Sequence, residues 1–170
     1  MSSTYWWRNC NVLDQDRTRR PEHRLRTIET RLKVDDIDDY LDKIAAKVSS
    51  YEPKFFCHND LHTGNILLTS KGLKIIDFDH ANYGYRGYDI AFWLVHRGPS
   101  DITKFLQGSS TSTGSLINGY ISVTKTTYEK ISQEVCTFVA YEIMNRLMAK
   151  EEKSDEWFIL FQEVMRACFD

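Results

Sequence analysis

Asp60, Asn65 and Asp77 are the residues whose types and spacing can do chemistry. Asp60 stands in the run His58-Asn59-Asp60-Leu61-His62-Thr63-Gly64-Asn65, and Asp77 opens Asp77-Phe78-Asp79. A carboxylate in a loop, an amide five positions on and a second carboxylate in a later turn give the layout of a phosphoryl-transfer site. That reaction has a loose transition state, so it needs charge neutralisation and alignment more than covalent help. In this layout Asp60 accepts the proton of an attacking hydroxyl, while Asn65 and Asp77 hold Mg2+ on the phosphates of ATP. Mg2+ takes oxygen ligands and keeps several waters, so one amide and one carboxylate from the protein suffice.

The flanking residues read differently. His58 is expected to be structural: an imidazole there can hydrogen-bond backbone near the Asp77 turn and hold both loops in register. Asp79, His80 and His62 lie beside the site, and for His62 two readings stay open, ordinary hydrogen bonding in a polar loop or a part in the site. The histidines are poorly spaced for zinc and have no cysteine nearby. Asn59 stands where protein kinases carry the Arg that anchors a phosphorylated activation loop, and no Ala-Pro-Glu segment follows. A small hydroxyl compound is therefore favoured over a protein substrate.

These residues need elements to position them. Phe55-Phe56-Cys57 is β-like, and Ile66–Thr69 and Leu73–Ile76 flank Ser70-Lys71-Gly72, a hairpin turn. Antiparallel pairing of that hairpin brings Asn65 and Asp77 together at its open end. Val34, Ile37, Leu41, Ile44, Ala45 and Val48 recur at helical spacing, and Pro53 bars the helix from continuing. Residues 88–97, 127–150 and about 155–169 also read as helices. Gln107 to Ser115 is rich in Gly, Ser and Thr and reads as a mobile loop. The fold class is α+β and mostly helical.

The chain has 170 residues, 42% of them hydrophobic, which is enough for one core. A net charge of -2 gives no electrostatic reason to invoke nucleic acid or an anionic membrane. The arginines between Arg17 and Arg31 and the acids between Asp35 and Asp42 read as solvated stretches of opposite charge. Cys10, Cys57, Cys136 and Cys168 are too far apart for a C-x-x-C pair, and free thiols in a reduced cytoplasmic protein are the expectation. No apolar stretch approaches membrane-spanning length. Residues 1–33 read as an irregular or partly helical arm, in which Trp6 and Trp7 dock somewhere.

The run Ile76-Asp77-Phe78-Asp79-His80-Ala81-Asn82-Tyr83-Gly84-Tyr85-Arg86-Gly87-Tyr88-Asp89-Ile90 resembles the choline/ethanolamine kinase family, as does His58–Leu68. The His58–Asn65 wording is shared with aminoglycoside-phosphotransferase-like kinases, and the extension through Tyr85-Arg86-Gly87-Tyr88-Asp89-Ile90 points to the choline/ethanolamine branch. The resemblance runs from about Val34 to the C-terminus and is sharp over residues 56–90. It implies ATP as donor, a small amino alcohol as acceptor, phospholipid head-group synthesis as setting, and a homodimer. Residues 34–170 would form the C-terminal lobe of a protein-kinase-like fold. Asp60 would be the base, Asn65 and Asp77 would hold magnesium, Asp79 would face the substrate cation, and Asp89 would buttress the catalytic loop.

The sequence also departs from that pattern. Gly64 is the first glycine, so the reading includes no glycine-rich loop and no N-terminal ATP-binding lobe. His96-Arg97 stands where the family has Glu-Trp, and Ala140–Leu147 carries only Tyr141 where it has a tryptophan-rich helix. These departures support two further readings: a non-catalytic pseudokinase or interaction module, which pairs with a full-length relative, and a kinase for another small hydroxyl compound. Trp93 and Trp157 are expected to pack in the core.

Overall fold

The computed structural model describes residues 34–109, 111–148 and 155–169. The arm expected over 1–33, with Trp6, Trp7, Cys10 and the arginine cluster, lies outside the described residues.

Helix α1 (Val34–Ser49) buries Leu41, Ile44 and Val48 along one stripe. The spacing of these residues is that of an amphipathic helix. Past Ser49 the chain turns on bonds from Ser50 N–H to Lys47 O and Tyr51 N–H to Val48 O before reaching Pro53. Strand β1 (Phe55–Cys57) pairs antiparallel with β4 (Asn82–Gly84), with Phe55 opposite Gly84 and Cys57 opposite Asn82. Strands β2 (Ile66–Thr69) and β3 (Gly72–Ile75) form a second antiparallel pair.

That hairpin is tighter than its sequence suggested. Thr69 pairs with Gly72, so Ser70 and Lys71 alone make the turn, and Gly72 opens β3 at a φ of 105°. Glycine reaches that angle without a Cβ clash.

The rest of the described chain is helical: α2 (Tyr88–Arg97), α3 (Pro99–Leu106), α4 (Thr111–Val123), α5 (Tyr128–Met148) and α6 (Asp155–Phe169). The core lies where α2 and α6 pack on α5. Ala91, Leu94, Val135, Phe138, Val139, Ile143, Phe161 and Val164 are all fully enclosed there. Tyr40 of α1 meets Phe161 of α6 edge to face at 5.6 Å. Trp157 is buried at the start of α6, and Trp93 is half-buried against the core.

The start of α2 is pressed onto α5. A Cβ added at Gly87 would stand 2.8 Å from both Glu134 C and Val135 N, a distance real side chains do not tolerate. Arg86, one residue earlier, forms a two-pronged ion pair with Glu134: Nε donates to Oε2 at 2.9 Å and Nη2 donates to Oε1. Both side chains are largely enclosed, so each charge needs the other.

Two expectations are corrected. Gln107–Ser115 is not one loop, because α4 begins at Thr111 and buries Thr113 and Ile117 completely. Those contacts, with Leu116 and Tyr120 packed on the same core, outweigh the weak helix propensity of Thr, Ser and Gly. Nor are all the cysteines free: Cys136 of α5 and Cys168 of α6 are joined as a disulfide, their Cα atoms 6.1 Å apart. Helix packing makes this pairing possible by setting the two backbones at disulfide spacing. Cys57 is free and buried, and burial pushes its thiol up to about 12. None of the helices among the described residues is long and apolar enough to cross a membrane.

Candidate active site

The segment after β1 is held by side chains rather than by a ladder. Asp89, in the first turn of α2, accepts the backbone N–H of His58 on Oδ2 and that of Asn59 on Oδ1, each at 2.8 Å. Burial raises the pKa of this carboxyl, while the two N–H bonds act to lower it. Asn59 sits at a φ of 64°, in the left-handed region that Asn tolerates better than most residues. Its Nδ2 donates to His80 O at 2.9 Å, tying the loop to the segment beyond Asp77.

His58 is buried and bridges the two candidate loops. Its Nε2 is 2.8 Å from Ile76 O, which can only accept, so Nε2 carries the proton. The other nitrogen, Nδ1, accepts the Asp60 N–H at 3.3 Å. One neutral imidazole therefore fixes the backbone at Asp60 and the residue before Asp77. The Phe78 ring packs against it with centroids 4.7 Å apart.

Asn65 ends a short 3₁₀ turn, Thr63–Asn65, and is buried. Its Nδ2 donates to Asp60 O at 3.0 Å and to Asp60 Oδ2 at 3.1 Å. Both partners are acceptors, which assigns the amide: Nδ2 faces Asp60 and Oδ1 faces the other way. Asn65 O accepts the Ile76 N–H at 3.0 Å, continuing the β2–β3 ladder, where Ile66 pairs with Ile75. Asp77 follows directly, exposed and at a φ of 62°. The open end of the hairpin thus carries Asn65 on one strand and Asp77 just past the other.

Asp60, Asn65, His58 and Asp89 form one hydrogen-bonded unit, and Asp77 is joined to it through Ile76. Asp79 is exposed, two positions past Asp77. No group of three or more His, Cys, Asp or Glu among the described residues is arranged to hold a metal ion. The donors suited to a hard divalent cation are the Asn65 Oδ1 and the exposed Asp77 carboxylate, both oxygens, and water and phosphate oxygens would complete the set.

Sequence reasoning did not find the pairing of His62 with His96. Their rings stack with centroids 5.6 Å apart, and His62 Nε2 lies 3.6 Å from Asp60 Oδ2. Only the fold brings positions 62 and 96 together. The available signal was that His62 lies in the His58–Asn65 run and that His96 stands where the resembled family has a different residue.

Residues 4–115 match the pattern of the phosphotransferase enzyme family. The chain is 47% identical over 47 residues to a choline/ethanolamine kinase of Homo sapiens, covering 25% of this chain and 12% of that protein. It is 31% identical over 100 residues to a probable ethanolamine kinase of Arabidopsis thaliana, covering 56% of this chain and 27% of the relative. A methylthioribose kinase of Bacillus thuringiensis is 37% identical over 75 residues, or 40% of this chain and 19% of the relative. In each case the aligned stretch spans well under half of the relative's length.

Proposed function

The chain belongs to the phosphotransferase enzyme family, and from that premise we propose that it serves to move the γ-phosphate of ATP to the hydroxyl of a small molecule. Asp60 is the base. The acceptor O–H gives its proton to the Asp60 carboxylate, the oxygen bonds to the γ-phosphorus, and the bond to the β-phosphate oxygen breaks to release ADP. Asn65 Oδ1 and Asp77 hold Mg2+, which would neutralise phosphate charge. Asp89 and His58 position the loop without touching the reactants. The observation that carries this reading is the pair of hydrogen bonds from Asn65 Nδ2 to Asp60 O and Oδ2, which aligns the base and turns the amide oxygen outward in one move.

In its finer form the acceptor is an amino alcohol of the choline or ethanolamine type, used for phospholipid head groups in the cytoplasm. Residues 34–170 form a kinase-like C-terminal lobe, Asp79 faces the amine, and the working state is a homodimer or a pair with a full-length relative. The choline/ethanolamine kinase likeness supports the acceptor class.

A second reading, a non-catalytic interaction module, draws on the apolar side chains left exposed beside the site, among them Phe56, Leu68, Leu73 and Tyr83. Calorimetric titration with Mg-ATP separates the two. Binding that Asp77→Ala removes, with acceptor phosphorylation that Asp60→Asn lowers by about 100-fold or more, supports the enzyme. No nucleotide binding by the folded chain supports the module.

A further inference from the structure

His62 and His96 come from different elements and meet beside Asp60. The partners of each ring fix its tautomer. His62 Nδ1 accepts the Gly64 N–H at 3.0 Å, so the proton of the neutral ring is on Nε2, the atom 3.6 Å from Asp60 Oδ2. His96 Nδ1 is 3.0 Å from Phe92 O, a pure acceptor, so that proton is on Nδ1 and Nε2 carries a lone pair directed away from the helix backbone. The stacked pair therefore presents one donor, His62 Nε2–H, and one acceptor, His96 Nε2. An acceptor oxygen bonded to Asp60 comes within reach of the donor.

Among the described residues, the two tryptophan faces that could serve another mode of recognition are already taken. A quaternary ammonium makes no hydrogen bonds and is held by open aromatic faces. Trp93 has the Arg97 guanidinium 5.5 Å from its ring centre, and Trp157 has that of Arg146 at 5.3 Å. One side of His96 packs on Phe92, centroids 4.2 Å apart, and His62 stacks on it as well. His96 keeps much of its surface in solvent, yet this packing desolvates the ring and lowers its pKa, and the charge of Arg146 acts in the same direction, against the Phe92 carbonyl and Asp60.

We infer that the His62–His96 pair selects the acceptor by hydrogen bonding: it takes a molecule with a hydroxyl or primary amine on the carbon next to the reacting hydroxyl, and discriminates against a quaternary ammonium. This rests on the reading of Asp60 as the base. His62 Nε2–H donates to the reacting oxygen, and His96 Nε2 accepts from the neighbouring O–H or N–H.

The test is an NMR titration of the imidazole resonances in the full 170-residue chain with ethanolamine, glycerol and choline. Before any addition, long-range nitrogen–proton spectra should show the Nε2–H tautomer for His62 and the Nδ1–H tautomer for His96; the reverse assignment overturns the inference. Ethanolamine or glycerol should then move both rings at a concentration about tenfold below that of choline, the worth of one hydrogen bond. The ethanolamine and glycerol arms tell amine from hydroxyl. His96→Phe, which keeps a ring, should erase the preference. Equal response to choline, no response to any probe, or a preference that survives His96→Phe sinks the proposal. A parallel phosphorylation assay separates the two levels. Transfer without ring shifts leaves the function and removes this role, whereas ring shifts without transfer leave the selectivity and remove the reaction.

Discussion

The helical body and the strand-and-loop platform of this molecule are held together by different physics. In the body, Phe138, Phe161, Leu94 and Ile143 have no measurable exposure, and stability comes from apolar area removed from water. On the platform, Leu68 is 84% exposed, Leu73 72% and Phe56 64%, and every residue of β3 faces solvent. The platform instead hangs from single contacts: Asp89 on two backbone N–H groups, His58 between Asp60 and Ile76, Asn65 on Asp60. The candidate site residues lie on the part with the least core. Their geometry is set bond by bond, which allows precise placement and makes each bond costly to lose.

The contrast can be broken from either side. Phe138→Ala in the body should cost about 3–5 kcal/mol, seen as a lower midpoint in urea unfolding of the whole chain. If it costs less than a platform substitution, the division is wrong.

Asp89→Asn cuts the strap between body and platform. One oxygen still accepts, but the new amide N–H2 meets a backbone N–H, so a cost of about 1–3 kcal/mol is expected, with faster hydrogen exchange confined to residues near His58 and Asn59. Burial raises the pKa of Asp89 in the fold. A raised carboxyl pKa gives stability that is full at low pH and is lost as pH climbs from the ordinary aspartate range through the folded value. The stability gap between wild type and Asp89→Asn should therefore narrow as pH rises across that window, and a gap that widens would contradict the direction of the shift.

Leu68→Ser on the exposed hairpin should change stability by less than about 0.5 kcal/mol. A larger loss in thermal unfolding would mean that the face is covered in solution.

How legible each region was in the sequence follows the same division. The helix over Tyr88–Arg97 could be read to the residue, since its apolar content and the Gly98-Pro99 stop are local signals. The last helix and the hairpin were likewise readable from periodicity and turn chemistry. Helix α4 was hidden because Thr111–Ser115 carries poor helix formers, and only burial of Thr113 and Ile117 against distant residues makes it helical. Helix α3 offers only eight residues, with Ile102 as its one buried side chain. The residues of the candidate site announced themselves by type and order. Their mutual orientation did not, because Arg86–Glu134 spans 48 positions and His58–Asp89 spans 31. The joining of Cys136 to Cys168 was equally out of reach, since it depends on how α5 and α6 pack.

The left-handed backbone at Asn59 and Asp77 has a consequence in the genetic code. Single-base changes turn an Asn codon into Asp, Ser, Thr, Lys, His, Tyr or Ile. Of these, Asp fits a positive φ most readily, but it has no N–H to give His80 O. From an Asp codon the same step reaches Asn and Gly, which accept the backbone angle, along with Ala, Val, Glu, His and Tyr, most of which resist it. The two codons therefore sit in narrow valleys of mutational space, while those for Leu68 and Leu73 lie on open ground. Random variants of this chain that keep its fold at the loops should drift at the hairpin and stand still at positions 59 and 77.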